Sequence, residues 1–147
     1  MDRPVPIPDE VSKPFWDAAD QGWLVGQYCR DCADFQHPPA RACRQCQGAN
    51  LEFRKLSGKG TVYSMALTND NRVRLLQQYQ PFIIAIVVGD ESERLSYFTN
   101  LPGTAPEDIA IGEDPTKPVQ IGDPVEVEFE DVGSGRRIPQ FHVVRTT

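Results

Sequence analysis

Two Cys-x-x-Cys pairs constrain the fold of this chain more than any other feature of its sequence. Cys29 and Cys32 form the first pair, and Cys43 and Cys46 form the second after ten intervening residues. Two such pairs can place four thiolates around one point, which is the tetrahedral all-sulfur environment that Zn²⁺ prefers. The pairs account for all four cysteines, so the sequence predicts one zinc per chain.

Two disulfides and a mixed ligand set are the alternatives to this zinc site. Four cysteines allow three disulfide pairings, but two tight pairs without a recognisable secretion signal favour a metal. His37 lies between the pairs and could replace a cysteine, although a solvated or hydrogen-bonded loop histidine is the simpler interpretation. A closed Cys₄ site keeps no position for water or substrate, so we expect a structural metal.

Length and charge limit the remaining possibilities. The 147 residues suit one domain or two small ones. The formal charge is −6 and becomes about −8 when four thiolates hold one Zn²⁺, which disfavours general binding to nucleic-acid phosphates. No apolar run reaches the length of a membrane span, and we expect a cytoplasmic protein without a membrane partner.

Changes in local composition and residue pattern divide the chain into three parts. Residues 1–22 read as a proline-rich extended tail followed by a short helix, on which Phe15 and Trp16 share an apolar face. Residues 23–56 read as a zinc ribbon with short strands at 23–28 and 51–54. The two aromatic rings need a cover, which is either the chain's own barrel or ribbon, or a partner protein.

Residues 57–147 have the pattern of a small barrel. Five strands are predicted at 61–68, 82–88, 95–100, 125–130 and 139–145, without βαβ alternation. This pattern predicts a mainly β fold with a five-stranded antiparallel OB-fold barrel. The unbroken apolar run 82–88, which contains Phe82 and Ile84, is typical of a strand covered on both faces. Residues 101–118 form a long irregular connection of the kind that is usually functional or mobile.

The residues that commonly carry catalysis are missing from this sequence. The metal would use every cysteine, the chain has two histidines, and neither a Gly-x-Ser-x-Gly elbow nor a phosphate-binding glycine loop is present. We therefore predict no catalytic residue in this chain and interpret it as a binding or scaffold protein.

The order of these motifs resembles one known family. The resemblance is carried by Phe15-Trp16, Gly22-Trp23-Leu24, the two cysteine pairs, Phe35-Gln36-His37-Pro38-Pro39, Gly58-Lys59-Gly60-Thr61-Val62-Tyr63-Ser64, Pro81-Phe82 and Ile121-Gly122-Asp123-Pro124-Val125-Glu126-Val127. It is the family of acyl-CoA-associated OB-fold proteins with a rubredoxin-like zinc ribbon, long described as a domain of unknown function. The resemblance covers residues 10–145.

This resemblance implies a non-catalytic subunit that shares an acyl-CoA site with a thiolase-fold partner. Such partners are acyl-CoA thiolases, acyltransferases and thiolase-like aldolases that cleave steroid side chains, and a two-plus-two heterotetramer is the expected assembly. Candidate partner contacts are Phe15, Trp16, Phe82 and Ile84. Arginines in barrel loops are the candidates to meet the CoA phosphates: Arg72, Arg74, Arg136 and Arg137.

Two departures from the family pattern and two other functions stay open. Many members lack the stretch within 101–118, and we hypothesise that it borders the partner or its substrate, so that deleting 103–117 would weaken partner activity but not zinc binding. Ala33 follows the second cysteine, where glycine is frequent.

The alternative functions are an independent single-stranded nucleic-acid-binding OB protein and a self-sufficient acyl-CoA hydrolase or transferase.

Overall fold

The computed structural model describes residues 3–70 and 72–145. Helix α1 (Lys13–Asp20) precedes the strands, and 3₁₀ turns lie at Arg74–Tyr79 and Pro106–Asp108. The strands are β1 (Val25–Cys29), β2 (Asp34–Gln36), β3 (Leu51–Lys55), β4 (Lys59–Thr68), β5 (Phe82–Gly89), β6 (Ser96–Thr99), β7 (Pro124–Gly133) and β8 (Arg136–Val143). Within the described ranges, no helix is long and apolar enough to cross a membrane.

The first three strands form the zinc ribbon. They pair antiparallel in the order β2-β1-β3, with Cys29 at the end of β1 opposite Asp34 and Leu51. This register places the first cysteine pair in the turn between β1 and β2. The second pair lies in the loop before β3, so pairing of the strands brings the two loops together.

The remaining strands form the predicted OB-type sheet, in the antiparallel order β6-β5-β4-β7-β8. Side chains join its two edge strands. Thr99 Oγ1 on β6 donates to Gln140 Oε1 on β8 at 3.0 Å, and the Phe141 N–H donates to Thr99 Oγ1 at 2.8 Å. The mainly β fold with one N-terminal helix, a ribbon and an OB-type barrel is therefore confirmed.

Helix α1 packs across the barrel next to β8. Phe15 and Ala19 are buried, and Gly22, with φ +81°, follows the helix in the left-handed conformation that glycine adopts without strain. Asp20 fixes the end of the helix to the β7–β8 hairpin. Its carboxylate lies 3.1 Å from Arg136 Nη1 as an ion pair outside hydrogen-bond geometry, and it accepts the Arg137 N–H at 3.0 Å.

One hydrophobic core serves the helix, the ribbon and the barrel. Phe15 from the helix and Leu24 and Leu56 from the ends of the ribbon belong to the same buried cluster as barrel residues such as Val62 and Phe141. The three-part division of the chain stays a prediction, because these parts share their core.

The connection from 101 to 118 is irregular, as expected, but much of it packs on the barrel. Leu101, Ile109 and Val119 are buried, and the Ala110 N–H donates to the Val119 carbonyl at 2.9 Å. Deleting 103–117 would remove Ile109, which is 2% exposed, and so disturb the core as well. The hypothesis that this stretch borders the partner or its substrate is better tested by substitutions at the exposed tip around Ile111.

Candidate functional site

The four cysteine side chains converge as the sequence predicts. All four Sγ atoms lie within 4.8 Å of one another, and the Cys29–Cys46 and Cys32–Cys43 Sγ pairs are 3.7 Å apart. A tetrahedral site with Zn–S bonds near 2.3 Å has sulfur–sulfur edges of about 3.8 Å. A disulfide requires about 2.05 Å, so the spacing fits zinc and excludes the disulfide alternative.

Backbone amides support the sulfurs as thiolates. The N–H groups of Cys32, Gln45 and Gly48 each donate to a cysteine Sγ at 3.4 Å, and such donors stabilise negative charge on sulfur. Within the described residues this cluster contains four cysteines and no histidine. The donor set is that of one structural zinc, and His37 is not part of it.

Two buried glutamines hold the loop between the cysteine pairs. Gln36 Nε2 donates to Gln27 Oε1 at 2.7 Å and to the Ala42 carbonyl at 3.2 Å, while its Oε1 accepts the Arg44 N–H at 2.9 Å. Gln27 bonds the backbone of Ala40 in both directions at 2.9 Å. The loop that carries His37 is thus fixed to the ribbon sheet.

An open pocket of about 830 Å³ lies between α1, this loop and the edge strands β6 and β8. Its walls are mainly apolar and include Trp16, Pro38, Phe98 and Pro139. The N-terminal segment lines one side, where Arg3 pairs with Glu130 and donates to Asn100. The pocket therefore forms where the barrel edges are joined by side chains.

A row of four rings crosses the floor of this pocket. His37 lies between Phe15 and Tyr97, with ring centroids 5.2 and 4.5 Å away, and Tyr97 contacts Phe141 at 5.2 Å. The row connects the helix, the ribbon loop, β6 and β8. It makes the position of His37 dependent on all three parts of the fold.

Burial changes the acid–base properties of the two polar rings in this row. Burial, assisted by the positive charge of Arg44, lowers the pKa of His37 to about 4, so that its imidazole is neutral at pH 7. Burial also raises the pKa of Tyr97. Neither ring nitrogen of His37 has a hydrogen-bond partner among the described residues.

The four arginines proposed for CoA phosphates lie in two separate places, at the 3₁₀ turn before β5 and at the start of β8. Arg72 pairs with Asp70 at 2.7 Å, and Arg74 is exposed at the start of its 3₁₀ turn. Arg136 holds Asp20 at the end of α1, and Arg137 adjoins it in the β7–β8 hairpin. Arg136 is committed to a contact within the fold, whereas the exposed side chains keep the CoA assignment as a prediction.

The four residues proposed for the partner interface all line the same pocket, which the sequence did not suggest. Phe15 is only 5% exposed and packs into the core, while Trp16, Phe82 and Ile84 are partly exposed. The pocket is also lined by His37 and Tyr97, which were not among the site residues predicted from the sequence. The Phe-Gln-His-Pro-Pro motif was a signal for His37, but nothing in the sequence pairs it with Tyr97.

These features define a class of protein with a Cys₄ zinc ribbon on an OB-fold barrel. Residues 16–52 match the "ChsH2, rubredoxin-like zinc ribbon domain" family, and residues 53–130 match the "ChsH2, C-terminal OB-fold domain" family. The chain belongs to the ChsH2 family.

Two curated relatives are similar to this chain over part of their own length. The probable enoyl-CoA hydratase alpha subunit of Thermomonospora curvata is 33% identical over 110 residues, which are 75% of this chain and 33% of the relative. The 3-oxo-4,17-pregnadiene-20-carboxyl-CoA hydratase alpha subunit of Mycobacterium tuberculosis is 30% identical over 113 residues, or 71% of this chain and 35% of the relative. This chain spans about a third of each relative.

Two solved structures share the fold. The structure described as the Ltp2-ChsH2(DUF35) aldolase superposes with a TM-score of 0.75 at 25% identity, covering 94% of this chain and 98% of the other. A DUF35-family protein of unknown function from Sulfolobus solfataricus gives a TM-score of 0.57 at 15% identity, covering 92% and 86%. The second likeness concerns the fold alone.

Proposed function

We propose that this chain is the non-catalytic subunit of an enzyme complex that acts on acyl-CoA thioesters. It docks on a thiolase-superfamily enzyme, such as a thiolase, an acyltransferase or a steroid side-chain aldolase, and helps to form that enzyme's acyl-CoA site. The zinc is structural and takes no part in the reaction. Support comes from the relatives named as alpha subunits and from the similar aldolase structure.

The observation that carries the docking proposal is the outer face of strands β5 and β6. Ile83, Ala85 and Val87 point into the core, so the alternate residues Phe82, Ile84 and Ile86 face outward. Phe98 on β6 pairs with Ile86 and is 76% exposed. An apolar strand pattern on both faces is typical of a covered sheet, and the partner subunit supplies the cover.

The apolar pocket opens beside this face. Trp16, Phe82 and Ile84 belong to its walls, so a thioester bound to the docked partner can extend its acyl group into this chain. In the same arrangement the exposed Arg74 is available for the CoA phosphates, because guanidinium groups bind phosphate strongly, whereas Arg72 would have to leave Asp70 in order to join it.

Reconstitution with a thiolase-superfamily enzyme from the same host tests this function. We expect native mass spectrometry to show a complex of two chains of each kind, and acyl-CoA turnover by the complex but not by this chain alone. Ile84→Asp should abolish the complex while zinc content stays at one per chain. Ile121→Asp, the same substitution at a 55% exposed position in the loop before β7, should leave it intact.

Three results would count against the proposal. Equal complex formation by both aspartate variants would show that the partner does not dock on the outer face of β5 and β6. Turnover of acyl-CoA by the pure single chain would favour the self-sufficient enzyme, and salt-dependent binding of a single-stranded oligonucleotide without any enzyme partner would favour the nucleic-acid alternative.

A further inference from the structure

The N-terminal segment, residues 3–8, covers one side of the pocket. Arg3, Pro4 and Pro6 line the pocket together with residues of β6 and β8. Prolines alternate with other residues from Pro4 to Pro8, and each proline fixes its own backbone angle and has no N–H to donate. We call residues 3–8 the strap, because this stiff stretch of chain forms a wall of the pocket without belonging to the sheet.

Arg3 attaches the free end of the strap to the barrel. Its Nε lies 2.5 Å from the Glu130 carboxylate on β7, and its Nη2 donates to Asn100 Oδ1 at 2.6 Å. The side chains of the ion pair are only 20% and 34% exposed, so water and salt compete less with this contact than with a surface ion pair. Hydrogen bonds that involve a charged group also contribute more than neutral ones.

The barrel holds the main acceptor of Arg3 in place. Asn100 Nδ2 donates to the Ile83 carbonyl on β5 at 2.8 Å, and the Asn100 N–H donates to Gln140 Oε1 on β8 at 3.0 Å. Asn100 is thereby fixed from both edges of the sheet. The contact that receives Arg3 is therefore preformed and does not depend on the strap.

The other end of the strap is fixed where the helix begins. Asp9 Oδ1 accepts the Ser12 N–H at 2.7 Å, and Ser12 Oγ accepts the Asp9 N–H at 3.1 Å. The Asp9 carbonyl also accepts the Lys13 N–H at 3.0 Å. These reciprocal bonds give the strap a firm base, so that any swing of the strap starts at the Pro8–Asp9 junction.

Between its two ends the strap is held weakly. Among the described residues, no backbone hydrogen bond joins residues 4–8 to the barrel. Val5 is 40% exposed and Ile7 is 94% exposed, so these two side chains bury little apolar area. Segments with few hydrogen bonds and few buried contacts open locally at a low cost in free energy. Closure of the strap therefore depends mainly on Arg3.

We propose that the strap is a gate over the pocket, with Arg3 as its latch on Glu130 and Asn100 and the Pro8–Asp9 junction as its hinge. While Arg3 is bound, the strap narrows the entrance to the apolar walls. When Arg3 leaves its acceptors, the strap swings away from its base and the entrance widens. The gate controls entry of any apolar molecule, so the proposal goes beyond the docking function and does not depend on it.

The rate at which a dye enters the isolated chain tests the gate. The probe is prodan, a small neutral dye whose emission changes in apolar surroundings. Trp16 lines the pocket and Trp23 does not, so Trp23→Phe leaves Trp16 as the energy donor to bound dye. Stopped-flow mixing gives an association rate proportional to the fraction of open straps. Arg3→Gln should raise this rate about tenfold, as the loss of a charge-assisted hydrogen bond implies.

Further variants identify the latch and the pocket. Glu130→Gln should also speed dye entry, but adding it to Arg3→Gln should give no further increase, because both changes break one contact. Arg72→Gln removes an exposed ion pair with Asp70 outside the pocket and should leave the rate unchanged. In the Arg3→Gln background, Ile138→Phe narrows the β8 wall and should weaken dye binding about tenfold.

Four results would each overturn the gate. They are a native rate in Arg3→Gln, an equal acceleration in Arg72→Gln, multiplied effects of the Arg3 and Glu130 changes, and dye binding that Ile138→Phe leaves unaltered. Zinc content and thermal unfolding establish that each variant is folded. All of these measurements use the free chain, so they are independent of complex formation with an enzyme, which native mass spectrometry decides separately.

Discussion

Replacing Gln36 with methionine tests how the ribbon loop is held. The two side chains have similar size, so the change removes hydrogen bonds with little loss of packing volume. Gln36 is 2% exposed and makes three hydrogen bonds through its amide, to Gln27, Ala42 and Arg44. Gln36→Met leaves the Ala42 carbonyl and the Arg44 N–H without these partners.

The expected loss follows from those two backbone groups. An unsatisfied buried group costs about 1–3 kcal/mol, and both groups lie at the partly buried margin of the loop, so we expect about 3 kcal/mol in total. Gln27 Oε1 keeps its second donor, the Ala40 N–H at 2.9 Å, and adds little. Because Arg44 follows Cys43, zinc should also pass faster to a chromogenic chelator.

Urea unfolding in excess zinc measures this loss as a shift of the midpoint at constant m value. Gln45→Met is the matched control, since it makes the same substitution at an exposed position within the second cysteine pair and should change stability by less than about 0.5 kcal/mol. A loss below about 1 kcal/mol in Gln36→Met, or one equal to the control, would refute the role given to this network. Combining it with Gln27→Met should show non-additivity, because the two amides share a bond.

Two further predictions concern neighbouring positions. Ala33 has φ +53°, so Ala33→Gly should stabilise the chain by about 0.5–1 kcal/mol, whereas Ala66→Gly on β4 should destabilise it by a similar amount; thermal unfolding in zinc decides, and equal signs would contradict the strain argument. The pKa of His37 is lowered from 6.5 to about 4, so its contribution to stability is full above pH 6.5 and falls as the pH drops to 4, when the unfolded chain takes up the proton. Relative to His37→Phe, the native chain should lose about 3 kcal/mol over this range, and parallel pH profiles of the two proteins would contradict the burial of a neutral imidazole.

The backbone conformation of Ala33 explains why this residue departs from the family pattern. The sequence identified Ala33 as unusual because glycine is frequent after the second cysteine of such ribbons. The structure supplies the reason, since Ala33 and its counterpart Gln47 in the second knuckle both adopt positive φ angles, +53° and +61°. A Cβ atom is strained in that conformation, and two knuckles of the same shape require it twice.

Local patterns in the sequence determined the zinc ligands, the N-terminal helix and the positions of the barrel strands along the chain. Cysteine spacing is a local property, and a period of two along a strand or of about 3.6 along a helix is written within each segment. The sequence also predicted that the strand 82–88, which contains Phe82 and Ile84, is covered on both faces, because an unbroken apolar run gives a strand two apolar faces. These predictions needed no knowledge of which segments contact one another.

Tertiary structure alone decided the pocket and the contacts that two predicted site residues make within the fold. Phe15 became a core residue and Arg136 became the anchor of Asp20, because packing of α1 on the β7–β8 hairpin uses both. The contact between His37 and Tyr97 joins residues 60 positions apart at 4.5 Å. Such a contact depends on how the ribbon sits on the barrel edge, and that placement follows from the shared core rather than from any local motif.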